Sequence, residues 1–464
     1  MSTQQPKLGF LIIGHKDYQN DIAEEMAVKG VENIRRKGID VVLDPKSYTD
    51  AVEAQDAAKK LSKMDIDGAV IFLGTWIDSS TAMAAVRMIE HLPFLVWGFP
   101  MFLNKEGRRD QTGSLVSYAV FKGALDRVGY NYKGVLGPVE NDKTVDKIAS
   151  FAKASSTYQR LKETRIGLFG YVSMTMYPGT FDHLILRTYI GPEVVHFDTY
   201  SIIEGMKKVP DKKLAEEVNK LKSKVKIASN VTDKMLNTAV GMYLSIMDIV
   251  KKNKLNSINV KCQYELSQDF GMTACVPVSL AADSGVVSGC EGDTVTTVSM
   301  VILNYLTDQV IYYGDIIDIK DSRIWISSCG MAPYSLADPS REMVVNNFST
   351  LFEHLKKTEK DKSKGMDSES FKGLVNSFTL KPGRVTYMRL VEDIGSYHLI
   401  YGTGTGLPTE LRQGVMPGIE VEIDGDVEKL IDTFPSQHYA LCYGDITNEL
   451  LDLCKILDID TVKI

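Results

Sequence analysis

Short apolar runs and stretches of helical periodicity alternate along the first third of the chain. LGFLIIG at 8–14, IDVVL at 39–43, DGAVIFLGTW at 67–76 and PFLVWGF at 93–99 are continuous enough for strands buried on both faces. Between them IAEEMAVKGVENIRRKG, AVEAQDAAKKLSKM and SSTAMAAVRMIEHL place apolar residues at helical spacing, the first ending at Gly38, a C-capping glycine. This alternation predicts a parallel sheet covered by helices on both sides. Ligands approach such a sheet at the carboxyl ends of its strands. His15, Lys16, Thr75, Trp76 and Asp78 lie just past strand ends and are binding candidates, although strand-end capping explains each equally well. The first strand is not followed by G-x-G-x-x-G, which argues against a dinucleotide site.

The pattern restarts after a long helical stretch near Lys143–Lys162. RIGLFGYV at 165–172 and EVVHFDTYSII read as strands, FDHLILRTYIG, DKKLAEEVNKLKSK and KMLNTAVGMYLSIMDIVKKN as helices, and NSINVKCQYEL as a further strand. The hairpin-like pair IYYGDIIDI and SRIWISSCG is expected to close this set. From about 341 the composition changes: HLKKTEKDKSKGMDSES is charged and weakly patterned, and short strands with turn signals follow, ending in the helix TNELLDLCKILD. The expected class is therefore α/β, with two Rossmann-like parallel-sheet domains at 1–164 and 165–340 and a β-rich, barrel-like domain at 341–464. Gly402-Thr403-Gly404-Thr405-Gly406 looks like a phosphate loop, but no helix follows, so a β turn or bulge is expected.

Composition narrows the function. A length of 464 residues suits two or three cores, and a formal net charge of −7 argues against a general nucleic-acid binder. The first strand begins too early for a signal peptide and no run of about 18 apolar residues offers a membrane span, so a cytoplasmic protein without membrane contact is expected. The six cysteines form no C-x-x-C pair and read as reduced core residues.

Candidate chemistry centres on Cys290–Ile319. Glu291 is an isolated acid that opens an apolar run of helical length, and Asp315 interrupts a strand-like run one helix later. Far downstream, FPSQHYALCYGD places His438 in another strand-like run. Two carboxylates and an imidazole are a donor set for a hard divalent cation, with the imidazole favouring Mn²⁺. On spacing alone, Glu291 and Asp293 read equally as first-turn acids with Thr294 as a nearby cap, Asp315 as a turn residue after Gly314, and His438 as a strand histidine. His91, His183, His196, His354 and His398 have no neighbours at ligand spacing and read as structural.

CEGD at 290–293 with its apolar helix, YYGDIIDI around Asp315 and SQHYALCYGD around His438 resemble segments of the L-fucose/L-arabinose isomerase superfamily, nearest its fucose isomerase side. The resemblance implies a metal-dependent aldose–ketose isomerase of a monosaccharide. Glu291, Asp315 and His438 would hold a divalent ion, usually Mn²⁺, and the two acids would serve as the acid/base pair. It further implies that Trp76 reaches a neighbouring subunit's site, that Gln263 in KCQYEL binds substrate, and that the chain forms a homo-oligomer, as a hexamer or otherwise. The chain is shorter than typical fucose isomerases and its loops differ, so the sugar does not carry over. An anionic phospho- or sulfo-sugar, with His15-Lys16 or Arg108 and Arg109 supplying charge, an epimerase, and a non-catalytic sugar-binding protein are the alternatives.

Overall fold

The computed structural model describes residues 5–349, 371–411 and 416–464; the charged stretch 354–370 lies outside the described residues. The chain forms two compact units, Met1–Arg160 with Thr447–Ile459, and Leu161–Ile446 with Asp460–Ile464.

The first unit is the parallel α/β sheet that its apolar runs predict. Its five strands lie in the order Asp40–Tyr48, Lys7–Ile13, Gly68–Leu73, Phe94–Gly98, Lys133–Leu136, with every pairing parallel. Leu8, Phe10, Val70, Phe72 and Trp97 face one helical layer and Leu11, Ile13, Ile71, Leu73 and Val96 the other, all buried. That two-sided burial is why the strands read as continuous apolar runs. Pro45, which has no N–H to donate, sits in the edge strand, where the ladder tolerates it. Asp50 starts the next helix by accepting from the Val52 and Glu53 backbone N–H groups. The strand order reverses between Lys7–Ile13 and Gly68–Leu73, so His15, Thr75, Trp76 and Asp78 follow the two strands that flank the switch point.

The second unit contains a four-stranded parallel sheet in the order Val287–Cys290, Ser257–Val260, Arg165–Phe169, Glu193–Phe197. It also contains a seven-stranded sheet whose pairings close on themselves. Gly383–Asp393 pairs with His438–Tyr443, which pairs with Tyr312–Lys320, and the ladder continues through Arg323–Ser327, Gly418–Ile423 and Ser396–Leu407 back to Gly383–Asp393. All six pairings are antiparallel; Asp460–Lys463 adds to Ser396–Leu407 in parallel. Closure gives each of the six ring strands a partner strand on both sides.

Two expectations need correction here. The hairpin Tyr312–Lys320/Arg323–Ser327 does not close the parallel sheet: both of its outer edges pair with strands from beyond residue 341. Strand periodicity shows which residues are buried, but not which strand completes the ladder. The glycine run 402–406 is neither a phosphate loop nor a turn, because it lies within Ser396–Leu407, paired residue for residue with Gly383–Tyr387. The glycines make room: a Cβ at Gly402 would meet the Tyr387 hydroxyl at 2.3 Å, and one at Gly404 the Glu422 carbonyl at 2.5 Å.

Candidate metal centre

Glu291, Asp315 and His438 converge in the second unit. Glu291 follows Val287–Cys290 and has a left-handed backbone, φ 62°, next to Gly292 at φ 73°. This is an uncommon conformation for a residue with a side chain, and it is held by Asn259. The Asn259 amide nitrogen donates to the carbonyls of Cys290 (3.1 Å) and Asp293 (3.0 Å) and to Thr297 Oγ1 (2.7 Å), and its oxygen accepts from Gly292 N–H at 2.7 Å. Ser173 N–H donates to the Glu291 carbonyl at 2.7 Å. Only glycine fits at 292, where a Cβ would lie 2.1 Å from the Tyr171 carbonyl oxygen. Asn259→Ala is expected to lower stability by about 2–4 kcal/mol, because several buried polar groups of this turn lose their partner; urea denaturation measures it.

The cap of the helix Thr294–Thr307 is Asp293, not Thr294, since Asp293 is the last residue with extended backbone and its Oδ1 accepts from Thr296 N–H at 2.9 Å. Its Oδ2 accepts from Arg389 Nη1 (2.8 Å), Thr296 Oγ1 (2.9 Å) and His438 Nδ1 (2.8 Å). Arg389, buried in the middle of Gly383–Asp393, also donates to the carbonyls of His438 (3.0 Å) and Pro178 (2.6 Å). Burial opposes ionisation of Asp293, but Arg389 and His438 outweigh it and hold the carboxyl well below its usual range.

His438 begins its strand directly opposite Asp315 in the ladder and is fully buried. A carboxylate only accepts hydrogen bonds, so Nδ1 carries the proton shared with Asp293 and the Nε2 edge is turned to Asp315 and Glu291. Nε2 lies 3.2 Å from Asp315 Oδ1 and 3.5 Å from Glu291 Oε2. The Tyr313 ring packs against the imidazole with centroids 4.7 Å apart. Burial would push the His438 pKa down; hydrogen bonds to Asp293, Asp315 and Glu291 overcome this and raise it well above the ordinary value. Burial likewise raises Glu291, and the bond to His438 brings its pKa below the usual carboxylate value.

A neutral imidazole would set a lone pair against two carboxylates. Only a cation relieves that arrangement, and either a proton or a divalent ion fits. Three carboxylates stand against the Arg389 guanidinium, which leaves a residual charge of the size a divalent cation would neutralise. The hydrogen bond from Nδ1 to a buried carboxylate is also the usual support for a metal-ligating histidine. The donor set therefore fits Mn²⁺ or a similar ion. The spacings are those of hydrogen bonds, and among the described residues no three His, Cys, Asp or Glu side chains are closed to a coordination shell.

Gln263 lines a small cavity with Glu291, Tyr313, Cys262, Cys290 and Cys329. It is buried, and its Oε1 has no hydrogen-bond partner among the described residues. The Cys329 thiol donates to Glu291 Oε1 at 3.4 Å. Trp76, His15 and Lys16 belong to the first unit. There Thr75 Oγ1 accepts from His15 N–H at 2.9 Å and donates to the Trp76 carbonyl at 2.7 Å, and His15 Nε2 lies 3.6 Å from Asp78 Oδ2. Trp76 is half-buried and Lys16 exposed. The sequence reading missed Asn259, Arg389 and Tyr313. For Arg389 there was a signal, a single charge inside the apolar run VTYMRLV. His183 and His196, read as lacking neighbours, meet through their Nε2 atoms at 2.9 Å, and His354 lies outside the described residues.

No family model matches the chain. Sulfoquinovose isomerases from Priestia aryabhattai and Priestia megaterium (strain ATCC 12872 / QMB1551) are each 22% identical to it over 461 residues, covering 97% of this chain and 98% of the relative. A sulfoquinovose isomerase from Alkalicoccus urumqiensis is 22% identical over 463 residues, 98% of each chain. A periplasmic solute-binding protein from Actinobacillus succinogenes 130z, solved with D-allose, aligns at a TM-score of 0.17 and 12% identity over 66% of this chain and 92% of its own; that likeness carries no argument. No described helix is long and apolar enough to cross a membrane.

Proposed function

We propose that the chain is a divalent-cation-dependent aldose–ketose isomerase acting on a monosaccharide, with a sulfonated sugar as its substrate. The observation that carries this reading is the His438 Nε2 edge facing Asp315 and Glu291, with Nδ1 bound to Asp293. The nearly full-length likeness to sulfoquinovose isomerases supports an isomerase of sugars and favours the sulfonated class over a neutral one.

In this reading Glu291, Asp315 and His438 would hold the ion, Mn²⁺ in the first instance, which when bound supplies Lewis-acid stabilisation of charge on the sugar oxygens. Isomerisation needs a proton taken from C2 and returned to C1 through an enediolate, and a second proton moved between O1 and O2. One of Glu291 and Asp315 removes and returns the carbon-bound proton, and the other serves the oxygens. The orphan Oε1 of Gln263 accepts from a sugar hydroxyl, which fixes the ring's orientation beside Glu291. His438 orients and does not act as a base, because in this reading its Nε2 lone pair is taken up in holding the ion while Nδ1 donates to Asp293. Homo-oligomerisation, with Trp76 serving a neighbouring copy, belongs to the same proposal.

The test uses chelator-stripped protein with and without Mn²⁺, following ketose formation from sulfoquinovose by NMR and thermal unfolding in parallel. At a cation concentration about 100-fold above Kd, wild type is expected to gain about 2.7 kcal/mol of apparent stability. His438→Ala is expected to lose both this gain and turnover. Ketose formation that is indifferent to chelation and to His438→Ala would refute the cation-dependent reading.

A further inference from the structure

Lys261 is the first residue past Ser257–Val260, whose last residue pairs with Cys290. It therefore stands beside Glu291 at the ends of neighbouring strands, about 5 Å apart in the sheet. Its side chain is fully buried. The ammonium donates to Tyr171 Oη at 3.1 Å and to the Glu265 carboxylate, and lies 4.2 Å and 5.0 Å from the ring centroids of Tyr171 and Tyr264. Tyr171 Oη donates in turn to Glu265 Oε1 at 2.8 Å.

The groups that bury this cation are themselves open to solvent: Tyr171 is 56% exposed, Tyr264 46% and the Glu265 side chain 44%. Lys261 thus lies one side chain below the surface. Its cover rests on backbone in sparsely populated conformations, with Tyr264 at φ 71°, ψ −87° and Met174 and Thr175, shortly after Tyr171, at φ 50° and 51°. The Tyr171 carbonyl abuts Gly292, so the cation and the Glu291 turn share a wall. A buried ammonium needs an anion, and here a solvent-facing carboxylate supplies it.

We infer that Lys261, with the Tyr171 hydroxyl, is the subsite for the substrate's sulfonate, and that Glu265 holds the place of that anion until substrate displaces it. This rests on the sugar-isomerase reading above and adds which group reads the charged end of the sugar. A single ammonium matches the single charge of a sulfonate better than the nearly double charge of a phosphate monoester.

The experiment titrates Mn²⁺-loaded wild type, Lys261→Met, Glu265→Gln and Tyr171→Phe with sulfoquinovose, D-glucose and glucose 6-phosphate by calorimetry, with initial rates of ketose formation alongside. Lys261→Met is expected to weaken sulfoquinovose binding about 10- to 100-fold without changing D-glucose binding, as loss of one charge-assisted contact implies. Glu265→Gln is expected to tighten sulfoquinovose binding, because the competing carboxylate is gone. A purely structural ion pair would make both variants weaken all three ligands alike, and that result would overturn the inference. Wild type that fails to prefer sulfoquinovose to D-glucose, or that prefers glucose 6-phosphate, would overturn it as well. If Lys261→Met does not fold by circular dichroism, weaker sulfoquinovose binding in Tyr171→Phe and tighter binding in Glu265→Gln support the subsite, and unchanged binding in both removes it. Sulfoquinovose-selective, Lys261-dependent binding without ketose formation would uphold the subsite while removing the isomerase reading.

Discussion

On the proposed mechanism, Glu291→Gln and Asp315→Asn are each expected to lower kcat for ketose formation by about 10²- to 10⁴-fold, the range that a positioned proton-transfer group supplies. Both replacements keep the volume of the side chain and remove its charge and basicity. Glu291 has little freedom to be replaced in function by a neighbour, since its turn is clamped by Asn259 and its carboxylate is aimed at His438 Nε2, 3.5 Å away. Asp315 is fixed by the ladder directly opposite His438. The ion-free fold is affected as well. Glu291 is nearly buried and His438 holds its pKa below the usual carboxylate value, so the folded state favours the charge and ion-free Glu291→Gln is expected to be less stable than wild type near neutral pH, by about 1–3 kcal/mol. A loss of turnover much larger than this change in stability, with a diminished Mn²⁺-dependent shift in melting temperature, is the pattern expected of a group that acts in the chemistry. Full activity in both variants would remove these two acids from the chemistry.

The second large effect is expected at Arg389. Arg389→Met leaves Asp293 buried without its guanidinium and frees the carbonyls of His438 and Pro178, which is expected to destabilise the protein by about 3–5 kcal/mol. The loss also reaches the proposed ion. Asp293 holds His438 by Nδ1, and a weakened outer partner of a ligating histidine typically lowers metal affinity about 10- to 100-fold. Arg389→Lys keeps the charge but not the fork that spans Asp293 and Pro178, so it should recover part of the stability and little of the affinity. Urea denaturation reads the first quantity, and Mn²⁺ titration by electron paramagnetic resonance the second. Unchanged Mn²⁺ affinity in Arg389→Met would show that the Arg389–Asp293–His438 chain supports the fold alone.

The sequence by itself determined the parallel sheet of the first unit, because strands buried on both faces must be apolar throughout and the intervening helices carry a 3.6-residue stripe. It also marked Glu291, Asp315 and His438, each a polar residue interrupting or opening an apolar run, where burial without a partner would be costly. Tertiary structure alone decided how these three meet. Asp315 and His438 are cross-strand neighbours because Tyr312–Lys320 completes its ladder with His438–Tyr443, a pairing between distant segments that no local period encodes. The roles of Asn259 and Arg389 were hidden for the same reason: each sits inside a strand, and the backbone groups, Asp293 and His438 that they hold are brought in from elsewhere by packing. The glycine run 402–406 shows the converse, since its composition suggested a loop, while the close approach of Tyr387, Glu422 and Ile419 required glycine in a strand. Hydrophobic period is a local property written into the chain, whereas the position of a charge beside its partner depends on which edges and faces close together, and that is settled only when the whole chain has folded.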